Sequence, residues 1–191
     1  PFGAGVDPLT PIFEGKHAFK DITRFNTETC FAKRGAEAPP DIEPSYRQFA
    51  ERCVNEALDM AGLNRNEHHE VLQQAWVAVG NLGDGLMLEQ FYAQFAQSDS
   101  ISDRIVADAS DLIHDRNPFR HAAYVADMIG SKAPRVAFTN ACVASANAIT
   151  YGFNQIRKGR CELAIVGGIN VIHPLVYYNF DSSRAMADDV V

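Results

Sequence analysis

The sequence has no long hydrophobic run and no block of basic residues, and each absence excludes a class of protein. No apolar stretch reaches the roughly 18 residues needed to cross a bilayer, so we expect no membrane span. Lysine and arginine never exceed two in succession, in a chain of net charge −7. Because a nucleic-acid surface needs clustered basic charge, nucleic acid is not an expected partner.

Closely spaced cysteines are also missing. The four cysteines lie 23, 89 and 19 residues apart and form no CxxC pair, so a zinc ribbon has no support. The six largely scattered histidines do not suggest another metal site. A chain of this size with scattered cysteines is typical of a reducing compartment, which predicts a cytoplasmic location. The cysteines are Cys30, Cys53, Cys142 and Cys161.

The chain begins with a turn-rich segment, residues 1–44, in which proline recurs and one short helix is expected near 9–14. Longer helices are indicated by apolar periodicity and by residues suited to begin or end them. Ser45 can cap the first of these and Pro118 can begin the last. These predicted helices cover 45–60, 86–97, 101–114 and 118–129.

Three short, nearly continuous apolar runs have the composition of strands that are buried on both faces of a parallel sheet. They cover 75–79, 136–139 and 163–166. A helix rich in small residues is predicted between the second and third runs, over about 142–158, and its small side chains indicate a buried helix. Strand, helix and strand in this order favour a right-handed βαβ unit and an α/β fold.

Cys142 falls where the second strand ends and the small-residue helix begins. A thiol at the start of a helix lies near unpaired N–H groups at the positive end of the helix dipole. These groups favour the thiolate and can hold the oxyanion that forms on an attached thioester, so the position suits an acyl-accepting nucleophile. The same position also suits a small buried cysteine without a chemical role, and the thiol alone does not decide between the two.

Several motifs around this cysteine resemble those of the β-ketoacyl synthases of the thiolase superfamily. Residues 130–142, GSKAPRVAFTNAC, are similar to the family stretch that leads into a threonine-alanine-cysteine nucleophile motif. Residues 158–168, KGRCELAIVGG, resemble its strand with a double glycine, and residues 180–187, FDSSRAMA, resemble its phenylalanine and arginine-alanine segment. Similar segments at 19–25 and 80–85 extend the resemblance over nearly the whole chain.

The resemblance implies a thiolase-like α/β fold, present here as an incomplete N-terminal half with a mixed, mainly parallel sheet flanked by helices. Residues 1–191 would then be the N-terminal part of a ketosynthase domain. The first strand would precede Pro1, and the C-terminal half, with two catalytic histidines, would follow Val191. We expect this fragment alone to be inactive, and its opening has neither an initiator methionine nor a signal segment.

In such an enzyme Cys142 would accept an acyl group, and malonyl-carrier would then lose carbon dioxide and condense with it, in fatty acid or polyketide synthesis. The resemblance implies no cofactor bound by this chain, because phosphopantetheine arrives on acyl carrier protein or coenzyme A. It assigns Phe180 and Met87 to the acyl pocket and Arg184 to the carrier-protein contact. It also implies a homodimer or heterodimer formed through the strand near 135–139.

Departures from the family pattern keep two alternatives open. Asn140 stands where threonine is common, and Val143 and Ala144 replace the usual small hydroxyl residues. A thiolase or another coenzyme A condensing enzyme of the same fold is one alternative. A non-catalytic partner subunit that determines chain length is the other, although such partners usually lose the cysteine that is present here as Cys142.

Overall fold

The computed structural model describes residues 9–38, 45–81 and 117–187. The chain divides into a larger unit, residues 45–171, and a smaller unit made from its two ends. None of the described helices is long and apolar enough to cross a membrane. In chain order the described elements are α1 (Leu9–Phe13), β1 (Lys20–Asp21), β2 (Arg34–Gly35), α2 (Tyr46–Met60), α3 (His69–Gln73), β3 (Trp76–Gly80), α4 (Pro118–Ile129), β4 (Arg135–Phe138), α5 (Ala144–Arg157), β5 (Ala164–Gly168) and α6 (Pro174–Ser182).

The larger unit is built on three parallel strands in the order β4-β3-β5, and they match the three apolar runs of the sequence. Gly80 at the end of β3 pairs with Phe138 on one side and with Gly168 on the other. The three strands therefore end together at one edge of the sheet. Since β4 precedes α5 and β5 follows it, this helix carries the chain across β3 from one side of the sheet to the other.

Two helices of the larger unit, α2 and α4, begin and end where the sequence signals indicate. The Ser45 hydroxyl accepts a hydrogen bond from the Gln48 amide at 3.2 Å, which caps α2. Pro118 lies in the first turn of α4, where the Asn117 side chain accepts a hydrogen bond from a backbone amide at 3.0 Å. Gly130 ends α4 with a φ of 71°, a left-handed conformation that glycine adopts without steric cost.

The two faces of β3 pack against different helices. Val77 and Val79 belong to a buried apolar cluster with residues of α2, α3 and α4. Successive side chains of a strand point to opposite faces, and Trp76 accordingly lies beside Tyr151 of α5, with ring centres 6.0 Å apart. The sheet is thus covered by α4 on one face and by α5 on the other.

The helix α5 lies against the sheet at glycines. A Cβ on Gly80 would lie 2.6 Å from the carbonyl oxygen of Ala144, inside van der Waals contact. A Cβ on Gly168 would lie 3.3 Å from the Ser145 Cα and would overlap the side chain of that residue. A Cβ on Gly152 would overlap a side chain of β5 in the same way. A side chain at any of these positions would therefore push the helix off the sheet.

The outer side of α5 is apolar as well. Ile149 and Phe153 are 53% and 61% exposed, whereas Ala148 and Gly152 are buried on the side of the sheet. In the described residues the helix is thus buried on the side of its small residues, as predicted, and exposed on the opposite side. The small side chains are buried because only they fit the close contact between α5 and the sheet. The bulky apolar side chains point away from the sheet.

The smaller unit has its own apolar cluster around Tyr177 of α6, which packs with Cys30 and Ala32. The strands β1 and β2 form a two-residue antiparallel ladder. Next to it the buried Glu37 carboxylate accepts hydrogen bonds from the amide and the hydroxyl of Thr23 at 3.1 and 3.0 Å. The sequence pattern does not predict the ladder, because two-residue strands are too short to show a period. It does not predict α6 either.

Two predictions need correction. The helix α5 begins at Ala144 instead of 142, because Ala141–Val143 form a 3-10 turn. The three-stranded sheet is entirely parallel in the described residues and not mixed, since the antiparallel pair of β1 and β2 is separate from it. The helices predicted over 86–97 and 101–114 lie outside the described residues.

The contact between α5 and β5 predicts a difference between two adjacent glycines. Gly168→Ala would place a methyl group against Ser145 and should lower the free energy of unfolding by about 1–3 kcal/mol, as overpacking does. Gly167→Ala is the matched control, since a Cβ there meets no atom within 4 Å. Urea unfolding of both variants of the whole protein measures the difference. Equal destabilisation would contradict the close contact.

Candidate active site

Cys142 lies at the edge where the three strands end, in the turn between β4 and α5. After Phe138 the chain leaves the sheet and enters the 3-10 turn Ala141–Val143, from which α5 begins. The Cys142 side chain is exposed. An accessible thiol at the junction of a strand and a helix is open to an incoming substrate.

The residue before the cysteine has a strained backbone. Ala141 has a φ of 57°, a left-handed conformation that costs a non-glycine residue roughly 1–2 kcal/mol. Neighbouring hydrogen bonds fix the chain around it. Asn81 donates its backbone N–H to the Phe138 carbonyl at 3.0 Å, and Ala144 donates its own to the Ala141 carbonyl. Strained backbone conformations occur most often at functional sites. Here the conformation of Ala141 sets the direction in which the chain turns from β4 towards Cys142.

No side chain caps the N-terminus of α5. Val143 occupies the N-cap position and has no side-chain oxygen to accept from the amides of the first turn. The positive end of the helix dipole therefore lies next to Cys142 without a capping group. This agrees with the arrangement expected from the sequence, except that the cysteine lies in the turn that precedes the helix.

Asn81 is a buried polar residue at this edge that the sequence interpretation passes over. Its side chain is 2% exposed and directly follows β3. Its backbone N–H donates to the Phe138 carbonyl, so Asn81 joins the end of β3 to the end of β4 just before the turn that carries Cys142. The signal in the sequence is a polar residue placed directly after an apolar strand.

The other three cysteines have surroundings that oppose ionisation. Burial raises the pKa of the Cys30 thiol, and the Asp181 carboxylate raises it further. Desolvation also raises the pKa of Cys53 and of Cys161, with Glu56 adding to the effect at Cys53. Because the thiolate is the reactive form, these three are poor nucleophiles at neutral pH.

Phe180 and Arg184 lie at the end of α6 in the smaller unit, whereas Cys142 belongs to the larger one. Both side chains are exposed, Phe180 by 41%. The guanidinium of Arg184 lies over the ring of Phe31, 4.3 Å from its centre. The predicted pocket residue Met87 lies outside the described residues.

A cleft of about 510 Å³ opens at the opposite edge of the sheet. Its walls include Lys132, Arg160 and Trp76, which is half-buried where the sequence predicts a core residue. Since β3 runs from Trp76 at the cleft to Gly80 beside the Cys142 turn, this cleft is not the entrance to the thiol.

Comparison with known proteins decides the family. The family model described as "Beta-ketoacyl synthase, N-terminal domain" matches residues 7–190. The chain belongs to the β-ketoacyl synthase family. This confirms the resemblance seen in the motifs of the sequence, and the match extends over nearly the whole chain.

Two curated relatives of this ketosynthase chain are polyketide synthases. It is 28% identical over 171 residues to "Polyketide synthase PksL" of Bacillus subtilis, a match that covers 88% of this chain and 4% of the relative. It is 25% identical over 204 residues to "Putative polyketide beta-ketoacyl synthase 1" of Streptomyces cyaneus, which covers 97% of this chain and 47% of the relative. The chain thus spans about half the length of the Streptomyces protein and a small part of the Bacillus one.

Solved structures share the fold. "The ishigamide ketosynthase/chain length factor" superposes with a TM-score of 0.72 at 24% identity, covering 95% of this chain and 47% of that one. AntDE:AntF, a type II PKS acyl-carrier protein in complex with its ketosynthase, superposes with a TM-score of 0.75 at 18% identity, covering 95% and 45%. These likenesses confirm the predicted thiolase-like α/β fold.

The four thiol environments predict selective alkylation. Iodoacetamide at neutral pH should label Cys142 faster than Cys53, the other exposed cysteine, because desolvation raises the pKa of the Cys53 thiol. Peptide mass mapping of the whole protein at several reaction times measures both rates. The control variant Cys53→Ser should leave the rate at Cys142 unchanged. Faster labelling of Cys53 or Cys161 would contradict the assignment of the reactive thiol.

Proposed function

We propose that this chain carries the acyl-accepting part of a β-ketoacyl synthase of the polyketide type, with Cys142 as its nucleophile. The observation that supports this is the position of an exposed thiol in a strained turn, beside the uncapped N-terminus of α5 and at the carboxyl edge of a parallel sheet. Polyketide synthesis is favoured over fatty acid synthesis because the two relatives described above are polyketide synthases.

In the first step the Cys142 sulfur attacks the thioester carbonyl of an acyl group carried on phosphopantetheine. A sulfur–carbon bond forms and negative charge moves to the carbonyl oxygen, where the backbone N–H of Cys142 would supply one stabilising hydrogen bond and another part of the whole protein the second. The carbonyl then re-forms, and the pantetheine thiolate leaves and takes up a proton. The acyl group remains on Cys142 as a thioester.

In the second step malonyl-carrier loses carbon dioxide, and the electron pair of the broken C–C bond gives an enolate. This carbon attacks the Cys142 thioester, the new C–C bond forms and the C–S bond breaks. The thiolate is regenerated, and the product is a β-ketoacyl chain that is two carbons longer. None of the six histidines of this chain lies in a motif like those of the family's decarboxylation histidines, so we expect both in another part of the whole protein.

The proposed partners are an acyl carrier protein and a second ketosynthase-like subunit. Arg184 would contact the carrier, as the family resemblance implies. The strand β4 has one neighbour, β3, in the described sheet, and its outer edge would pair with the partner subunit. The exposed apolar side of α5, with Ile149 and Phe153, is where we expect the remaining half of the domain to pack.

A partner subunit that determines chain length is the second candidate function. It is supported by the similarity to a ketosynthase/chain length factor structure. Such a subunit needs no acyl-accepting thiol. The presence of Cys142 therefore favours the ketosynthase, because such partners usually lose this residue.

Acylation of the whole protein tests the proposal. Incubation with a radiolabelled acyl-coenzyme A should attach one acyl group per chain, and peptide mass mapping should locate it on Cys142. Cys142→Ala should remove the label, because alanine cannot form a thioester. The matched control Cys161→Ala should keep it, since that thiol is half-buried and has a raised pKa. Later addition of malonyl-carrier should release the label as a β-ketoacyl product.

The same experiment separates the two candidate functions. If Cys142 stays unlabelled while a co-purified partner subunit is acylated, the chain-length role is favoured and the ketosynthase proposal is wrong. If label appears on another cysteine of this chain, the proposed nucleophile is wrong.

A further inference from the structure

We propose that Phe31 is a positioning residue for carrier recognition, an aromatic platform that holds the Arg184 guanidinium ready for a carboxylate on the carrier protein. The inference rests on the proposed carrier contact of Arg184 and adds the residue that orients it. The geometry that points to it is the stacking of Arg184 on Phe31, with the guanidinium carbon 4.3 Å from the ring centre. This is well within the range of about 6 Å over which a cation is attracted to a ring face.

The loop that carries Phe31 is fastened to the end of α6. Its neighbours Cys30 and Ala32 are buried against Tyr177, whereas Phe31 itself is 46% exposed. The Ala32 amide donates a hydrogen bond to the Asp181 carboxylate at 2.9 Å. Asp181 lies three residues before Arg184, so the same short segment ties down the loop and carries the cation.

The backbone of Arg184 is a second, independent observation that this residue is held in a defined position. Ala185 donates its N–H to the Phe180 carbonyl and Arg184 donates its own to the Asp181 carbonyl, both at 3.0 Å, which is the Schellman pattern that ends a helix. The left-handed position of this pattern usually holds glycine, but here Arg184 occupies it with a φ of 56°. A glycine would adopt this conformation without the steric cost that the arginine side chain brings.

The stacked arrangement suits a carboxylate partner. The guanidinium carbon lies over the ring of Phe31 and the Arg184 side chain is exposed, so its N–H groups can reach the two oxygens of a carboxylate. Holding the long side chain in place also reduces the rotamer entropy that is lost on binding. The exposed Lys33, two residues after Phe31, adds a second positive charge in this loop. The pair favours an acidic protein surface.

The test is a double-mutant cycle on carrier binding by the whole protein. Arg184→Ala should weaken binding of holo-carrier protein, and Phe31→Leu should raise its Kd about 2- to 5-fold, the range for an exposed cation–π contact. In the Arg184→Ala background Phe31→Leu should have no further effect. Phe31→Tyr keeps the ring and should bind like the wild type. Phe19→Leu, at a site 49% exposed and beside His17, is the matched control and should also bind normally.

Each failure identifies a different error. If Arg184→Ala leaves carrier binding unchanged, the proposed carrier contact is wrong. If Arg184→Ala weakens binding but Phe31→Leu does not, or if the two effects simply add, the platform role of Phe31 is wrong. Carrier protein without its phosphopantetheine should show the same losses, because carboxylates are the proposed ligand. Losses confined to holo-carrier protein would overturn that choice and indicate the phosphate instead.

Discussion

The arrangement at the Cys142 edge depends on how closely α5 can approach the sheet. Gly80 and Gly168, on neighbouring strands, leave the space into which the backbone of Ala144 and the side chain of Ser145 fit. Protein interiors are packed as densely as organic crystals, so there is no space here for an additional methyl group. This contact fixes the first turn of α5, and the first turn of α5 fixes the turn that carries Cys142. The packing of α5 on the sheet therefore also determines the position of the Cys142 thiol.

Much of this part of the fold is predictable from local sequence. The apolar runs predict the three parallel strands, because strands covered on both faces must be apolar throughout. Ser45 and Pro118 mark helix starts for reasons internal to the helix, and both starts are found where they are predicted. The order of strand, small-residue helix and strand also predicts that Cys142 lies at a strand end. These features depend on neighbours within a few residues, which is why they can be deduced without knowing the tertiary structure.

The remaining features depend on residues that are distant in sequence. Phe31 and Arg184 are 153 positions apart, and neither has a local pattern that predicts the other. The exposure of Ile149 and Phe153 is equally invisible in composition, because apolar residues on both sides of a helix predict burial whether or not a second layer covers them. The 3-10 turn before α5 lies where Gly80 packs against Ala144, and no local pattern in the sequence predicts that contact.

Each of the two units contains one residue with a strained backbone. Among the described residues, two that are not glycine adopt a positive φ, Ala141 and Arg184. One directly precedes the proposed nucleophile and the other is the proposed carrier contact. Each conformation costs roughly 1–2 kcal/mol, a considerable part of the net stability of a domain. Strain of this size persists only where surrounding structure fixes the chain, as the sheet edge does for Ala141 and the end of α6 does for Arg184. Strained residues occur most often at functional sites, so this pair supports the two roles proposed for these places in the chain.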